Sequence, residues 1–209
     1  GVVDADDTIF LAAGMRRGGH SYYALDISEA DNPRFEAQIT SGDPGFEELG
    51  QTWSRMLPAT VMWKGQETEV FFFGGGYDTD EDNATTRITH DVGNAIYMVK
   101  ANNEGSGNIF DLLWKANGNY SSQHGLYSSD MTSSFAGDLS LVDNNGDGTV
   151  DLIYGADVGG RIWRFDIKEG NSGHSNFAEG GVIADFNDGT VAGNTRFYTQ
   201  PDVIYTNYG

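Results

Sequence analysis

The feature that most constrains the fold is a pattern that occurs three times along the chain. A short apolar segment ends in glycines, and after a turn a second segment rich in aromatic residues follows. The apolar segments are residues 8–14, 70–76 and 151–157, and the aromatic segments are residues 22–27, 93–100 and 161–167. Glycine-rich turns suit antiparallel hairpins, because many hairpin turns need a positive φ. The pattern therefore predicts repeated antiparallel strand pairs.

These repeats favour an all-β fold and, within that class, part of a modified β-propeller resembling quinoprotein-type repeats. Tyr23, Tyr97 and Trp163 occupy equivalent positions and lie 74 and 66 residues apart. Propeller blades repeat at intervals of about 40–50 residues, so each copy would carry an insertion. The nearly continuous apolar first segment is typical of an inner strand packed on both faces. We expect the Trp and Tyr residues of the repeats to form the core.

Residues 1–209 are predicted to be a single propeller domain or a fragment of one. Polar inserts interrupt the strand pattern near residues 78–91 and 168–180, and neither resembles a linker because the pattern continues on both sides. The second insert is rich in Gly, Ser and Asn, which predicts a mobile loop. The first residues read as sequence from inside a domain, so we expect a longer protein whose targeting segment lies elsewhere.

Charge and composition exclude several classes of partner and chemistry. The formal net charge is −19, which would repel nucleic acid and anionic membranes and attract divalent cations. Cysteine is absent, which excludes disulfides and thiolate-held metals. No apolar run approaches the roughly 18 residues that indicate a membrane-spanning helix.

The strongest chemical motif is the segment 143–151, which resembles an EF-hand calcium loop. Side-chain oxygens stand at its positions 1, 3, 5 and 9, and Gly148 stands at position 6. Calcium takes six to eight oxygen ligands, and this spacing wraps several around one ion. The predicted ligands are the side chains of Asp143, Asn145, Asp147 and Asp151 and the carbonyl of Thr149.

The motif differs from an EF-hand in one position and in its surroundings. Tyr154 occupies position 12, where an EF-hand has a glutamate, so Asp151 would supply the strongest carboxylate contact. Strand-like residues flank the loop on both sides, which predicts a calcium loop set in a β-hairpin. The alternative is a plain Asx/Gly turn, although three carboxylates in nine residues would repel one another without a cation.

Other polar residues give weaker signals. Asp78, Asp80 and Asp82 share the one-three-five spacing but lack the following glycine and the later carboxylate, so a solvated acidic loop is favoured over a second metal site. The four histidines, His20, His90, His124 and His174, have no ligand spacing and are expected at the surface or in turns. Neither catalytic nor organic-cofactor-binding residues are predicted, and the chain is not expected to be an enzyme.

Seven short segments of the chain together resemble one family. They are residues 14–19 (GMRRGG), 22–27 (YYALDI), 49–54 (LGQTWS), 73–78 (FGGGYD), 159–166 (GGRIWRFD), 196–198 (RFY) and 201–203 (PDV). In this order they are similar to the C-terminal domain of the PilC/PilY family, which comprises type IV pilus tip adhesins and biogenesis factors of Gram-negative bacteria.

The resemblance implies a modified β-propeller with a calcium site that controls pilus extension and retraction, and it places that site on Asp143, Asn145, Asp147 and Asp151. It also implies an extracellular or outer-membrane location at the pilus tip, contact with minor pilins, and adhesion to host or abiotic surfaces through other domains. Two alternatives remain: a quinone-dependent dehydrogenase-like propeller, and a structural propeller of another secreted surface protein. Contiguous calcium ligands and the absence of cysteine disfavour the dehydrogenase.

Overall fold

The chain folds into β-strands joined by turns. The computed structural model describes residues 8–105, 107–119 and 125–206. Its strands are β1 Phe10–Gly14, β2 Ser21–Asp26, β3 Arg34–Thr40, β4 Leu57–Trp63, β5 Gln66–Gly74, β6 Ala95–Lys100, β7 Leu112–Asn117, β8 Gly125–Tyr127, β9 Ser140–Val142, β10 Leu152–Ala156, β11 Arg161–Ile167 and β12 Ala178–Asp185. Two short 3-10 helices, Thr79–Asn83 and His174–Asn176, accompany them. The predicted all-β class is confirmed.

The strands form three sheets, and each contains one copy of the repeated pattern. Their orders are β1-β2-β3, β4-β5-β6-β7-β8 and β12-β11-β10-β9. The pairs β1–β2, β5–β6 and β10–β11 are antiparallel, as predicted. The pair β7–β8 is parallel. The recurrence in the sequence therefore corresponds to one antiparallel pair in each sheet, which includes the edge strand in the first sheet and is internal in the other two.

The five-stranded sheet lies between the other two and is buried on both faces. Side chains of β5 alternate between two clusters: Val70 and Phe72 pack toward the four-stranded sheet, and Phe71 and Phe73 toward the three-stranded sheet. Each fully buried residue of this kind contributes about 1.5–3 kcal/mol relative to leaving it exposed. Burial on both faces accounts for the unbroken apolar run at the end of β5.

Aromatic residues of the repeats fill these clusters, as predicted. Tyr22, Tyr97 and Trp163 are buried, and each packs against at least one phenylalanine ring. The Trp163 and Phe165 rings stack with their planes 10° apart. Tyr23, by contrast, is only partly buried, so the structural equivalent in the first copy is its neighbour Tyr22.

The glycine run after β5 allows three segments to meet closely. Gly76 has a φ of 99°, and an added Cβ would lie 2.2 Å from the carbonyl oxygen of Gln51. Its amide donates to the carbonyl of Phe135 at 3.0 Å, and the Gly75 carbonyl accepts from Gly50 at 2.8 Å. A side chain at these positions would push the segments apart.

Two expectations about packing are wrong. β1 lies at the edge of the three-stranded sheet, with Leu11 exposed, so the first copy lacks an inner strand packed on both faces. The insert near residues 168–180 is anchored rather than mobile. Asn171 is buried and donates to the Met62 carbonyl at 2.7 Å, and Phe177 is fully buried against Trp63 and Trp114.

Candidate metal centre

The segment 143–151 forms the loop that joins β9 to β10. The two strands pair antiparallel, with Val142 opposite Leu152, so the predicted β-hairpin setting is confirmed. The ends of the loop, Asp143 and Asp151, are half-buried, whereas residues 144–148 are exposed. The carboxylates that begin and end the motif are therefore held at the base of the loop.

Asp143 closes the loop by accepting two backbone hydrogen bonds. Its Oδ1 accepts from the amide of Gly146 at 2.7 Å, and its Oδ2 accepts from the amide of Gly148 at 2.9 Å. Both glycines have positive φ, 79° and 93°. The loop thus curls around its first carboxylate, and the two glycines supply the left-handed backbone that this requires.

The remaining oxygen side chains are also turned into the loop. Asn145 Oδ1 accepts from the amide of Asp147 at 2.8 Å, and Asp151 Oδ2 accepts from the amide of Asn144 at 2.7 Å. Asp147 Oδ1 accepts from the hydroxyl and the amide of Thr149, at 2.7 and 2.8 Å. These two bonds, led by the hydroxyl, hold the pKa of Asp147 below its usual range.

The oxygen side chains of the loop suit calcium, and without an ion they accept hydrogen bonds from backbone amides. The side chains of Asp143, Asn145, Asp147 and Asp151 present hard oxygens of the kind that calcium takes. Among the residues that the structure describes, however, no three His, Cys, Asp or Glu side chains are grouped so as to hold a metal. Binding an ion at this loop would therefore require carboxylate oxygens to turn from backbone amides toward a common centre.

The loop is attached to more of the molecule than the sequence indicated. The amide of Val150 donates to the Thr60 carbonyl of β4 at 2.9 Å, which ties the hairpin to the five-stranded sheet. The hydroxyl of Tyr205 donates to Asn144 Oδ1 at 2.8 Å. The pattern of the motif carries no signal for either contact, because the partners lie far away in sequence.

The second acidic cluster, in the insert near residues 78–91, combines two exposed carboxylates expected of a solvated loop, Asp80 and Asp82, with a third that is anchored. Asp78 is buried and caps the helix Thr79–Asn83, accepting from the amide of Asp80 at 2.9 Å. Asp82 forms a two-pronged ion pair with Arg17, at 2.8 and 3.2 Å, and accepts from the Tyr77 hydroxyl at 2.6 Å. These contacts, Arg17 first, hold the pKa of Asp82 below its usual range. The carboxylates of Asp78 and Asp82 thus have different partners, and among the described residues the cluster does not form a metal-holding group.

Sequence reasoning missed a buried charged network beside this cluster, and the expectation of a surface position for His90 is wrong. His90 is 2% exposed. Its Nδ1 accepts from the amide of Ser134 at 3.0 Å, so Nε2 carries the hydrogen and donates to Glu81 at 3.0 Å. Glu81 also pairs with Arg196. The network joins the insert to two distant parts of the chain.

The two other histidines that the structure describes are not part of this network. His20 is exposed, and His174 is half-buried with its ring edge against Trp63. His124 lies outside the described residues. Within the described part of the chain, no helix is both long and apolar enough to cross a membrane.

Comparison with known proteins identifies relatives in two organisms, whereas no protein-family model matches the chain. A type IV pilus biogenesis factor PilY1 homolog of Xylella fastidiosa is 28% identical over 164 residues, covering 76% of this chain and 10% of that protein. The type IV pilus biogenesis factor PilY1 of Pseudomonas aeruginosa is 28% identical over 157 residues, covering 75% and 11%. The chain thus spans about a tenth of the length of these curated relatives.

The chain is also similar to a solved structure. The crystal structure of the Pseudomonas aeruginosa PilY1 C-terminal domain aligns with a TM-score of 0.46 and 19% sequence identity, over 77% of this chain and 29% of that one.

Proposed function

We propose that the chain belongs to the PilY1 family and that it is a calcium-binding propeller domain of a type IV pilus biogenesis factor. The observation that carries the proposal is the loop 143–151, in which four oxygen side chains at calcium spacing lie between two paired strands. The ion would be held by Asp143, Asn145, Asp147 and Asp151 and by the carbonyl of Thr149, with water completing the shell.

The ion would supply charge compensation that the loop otherwise obtains only from backbone dipoles. Asp143, Asp147 and Asp151 bear three negative charges within nine residues, and their partners described above are amides and a hydroxyl. A divalent cation would neutralise most of this charge and favour one closed arrangement of the loop. The hydrogen bond from Val150 to Thr60 would pass that closure on to the neighbouring sheet.

The stacked sheets support the propeller part of the proposal. Each sheet is built from consecutive strands, and the middle sheet packs a face against each neighbour. Successive blades of a propeller have this arrangement. The three sheets would accordingly be successive blades, each carrying one copy of the repeated strand pair.

The family context supplies the expected place of action. We place the protein at the cell surface or pilus tip, where the domain would contact minor pilins and support pilus assembly, extension and retraction. Adhesion to host or abiotic surfaces would be carried by other domains. The role assigned to this domain is non-enzymatic: calcium-dependent control of a surface that a pilus partner recognises. A partner that binds only the closed loop responds to calcium through its different affinities for the two states.

Calorimetric calcium titration tests the site, and the chain contains a matched control. Asp188 Oδ1 accepts from the Thr190 amide at 2.9 Å and hydroxyl at 2.7 Å, reproducing the contacts of Asp147 with Thr149. Asp147→Ala should weaken calcium binding at least about tenfold through loss of one carboxylate ligand, and Asp188→Ala should leave it unchanged. Equal binding by all three proteins would identify the loop as a plain Asx turn.

A genetic experiment tests the role in the pilus. In the native host, Asp143→Ala or Asp151→Ala should change surface piliation or twitching motility while the protein is still produced, and Asp188→Ala should not. Normal piliation, motility and adhesion in the first two variants would reject the regulatory role even if calcium binding were measured.

A further inference from the structure

The chain contains two Asn-Gly sequences, Asn117–Gly118 and Asn145–Gly146. In such a pair the backbone nitrogen of glycine can attack the side-chain amide carbon of asparagine. The nitrogen–carbon bond closes a succinimide ring, and the side-chain nitrogen leaves as ammonia. Water then opens the ring at either carbonyl and yields aspartate or isoaspartate. The reaction needs no catalyst, but it does need a backbone free to rotate into the attacking geometry.

Asn117 is held in a way that prevents ring closure. It ends β7, where it pairs with Ala95 on one side and with Tyr127 on the other. Its side chain is 3% exposed and donates to Glu48 Oε1 at 2.8 Å. Around Gly118 the packing is tight, since an added Cβ would lie 2.2 Å from the Met131 carbonyl. Attack at Asn117 would require the sheet to open.

Asn145 lies in the opposite environment. It is exposed at the tip of the loop 143–151, outside the strand pairing of the hairpin. Gly146 has open space where a Cβ would stand, with no heavy atom within 4 Å. Two contacts within the loop oppose the reaction: the Gly146 amide donates to Asp143 Oδ1, and Asn145 Oδ1 accepts from Asp147. Both break when the loop opens locally, without loss of a strand.

We propose that Asn145 is a spontaneous deamidation site of the folded protein and that Asn117 is protected. The two products would act differently on the loop. Aspartate adds a fourth carboxylate to the motif. Isoaspartate inserts one methylene into the backbone between residues 145 and 146, which shifts the positions of Asp143 relative to Asp147 and Asp151. If the proposed calcium site holds, isoaspartate formation would disable it irreversibly as the protein ages.

The test follows both sites by mass spectrometry of peptides from the same sample. The folded chain is kept at physiological temperature and mildly alkaline pH with EDTA, and a parallel sample is unfolded in urea. We expect deamidation at Asn145 to exceed that at Asn117 by about tenfold or more in the folded protein, because local opening is easier than opening of a sheet. In urea the two rates should become similar.

An Asn145 peptide that stays as unreacted as the Asn117 peptide in the folded sample, while both react in urea, would overturn the proposal. Asn145→Gln is the matched variant: it should remove the mass change from this peptide and leave thermal unfolding in EDTA unaltered.

A third sample with calcium separates this inference from the proposed function on which its consequence depends. Calcium should slow deamidation of Asn145 by holding its side-chain oxygen and closing the loop. Deamidation in EDTA without any calorimetric calcium binding would support the modification site and reject the metal site. Measured calcium binding with no slowing would overturn the assignment of Asn145 as a ligand.

Discussion

The loop 143–151 and the insert 78–91 share the same one-three-five spacing of acidic or amide side chains. They differ in the groups that compensate the negative charge of their carboxylates. In the insert, Asp82 pairs with Arg17, and the neighbouring Glu81 pairs with Arg196. In the loop, Asp143, Asp147 and Asp151 accept hydrogen bonds mainly from backbone amides and from the Thr149 hydroxyl. Two carboxylates of the insert are therefore paired with arginines, whereas no ion pair to the loop carboxylates is found among the described residues.

This difference teaches that spacing alone does not identify a cation site. Side-chain cations that reach a cluster from distant parts of the chain neutralise it within the protein, and the carboxylates then turn apart toward separate partners. Where no side-chain cation is in contact, as proposed for the loop, an ion from solution would compensate the charge. The experiments below test whether the two regions differ in this way, in order of decreasing expected effect.

Removing Arg196, the cation that pairs with Glu81 of the insert, should produce the largest loss of stability. Arg196→Met leaves Glu81, 5% exposed, with His90 as its remaining partner. Breaking a buried pair in this way costs about 3–5 kcal/mol, and we expect the low end because Arg196 is itself partly exposed. Urea unfolding measures the change. The double variant Glu81→Gln/Arg196→Met should lose less than the single one, since no buried charge is left. A single variant as stable as the parent would show that the pair contributes little.

Calcium should stabilise the loop region by a smaller amount. At a calcium concentration 100 times the dissociation constant, binding adds about 2.7 kcal/mol to the free energy of unfolding. In Asp151→Asn this gain should largely disappear, while unfolding in EDTA changes little because the new amide oxygen can still accept from Asn144. Thermal unfolding with calcium and with EDTA measures both. The Arg196→Met variant serves as the control and should keep the calcium-dependent shift; its loss there would show that the two regions are coupled.

Removing Arg17, the exposed cation that pairs with Asp82 of the insert, should change the pKa of Asp82 and hardly affect stability. Arg17 and Asp82 are exposed, and their pair lowers the pKa of Asp82. A carboxyl group whose pKa is lower in the folded protein than in the unfolded chain stabilises the fold at pH values above its unfolded pKa. This stabilisation is lost as the pH falls through the folded pKa. In Arg17→Met the pKa of Asp82 should rise, while the Tyr77 hydroxyl still keeps it somewhat lowered. NMR titration of the carboxyl carbons measures this, and an unchanged Asp82 pKa would contradict the assigned cause.

Local patterns in the sequence were sufficient to predict the strand pairs and the hairpin around the loop. Partners in β5–β6 or β9–β10 are close along the chain, so the alternation of apolar residues and the glycine turns carry the information. The burial of His90 could not be read in this way, because its bond to Ser134 joins residues 44 positions apart. The anchoring of Asn171 through Met62 is also invisible locally, since 109 positions separate them.

The same reasoning explains the incorrect expectation for β1. Its apolar sequence resembles that of β5, but burial depends on which sheet lies beside a strand, and β1 stands at an edge. For the loop, the strand-like flanking residues predicted its setting in a hairpin, which the structure confirms, whereas the ligand residues remain a prediction from spacing. The contacts of Val150 with Thr60 and of Tyr205 with Asn144 depend on tertiary packing, and no pattern within the motif encodes them.

The strand order within the sheets also bears on how the molecule forms. In each sheet, strands that are neighbours in space are neighbours along the chain. During synthesis from the N-terminus, the chain can therefore complete β1–β3 and then β4–β8 before any later strand is made. Short-range pairing of this kind is fast. Docking of one sheet on another is expected to be slower, because it joins residues that are far apart in sequence. Val70, Phe72 and Trp114 present a bare apolar face until β9–β12 arrive to cover it. A nascent chain is most open to misassociation in that interval.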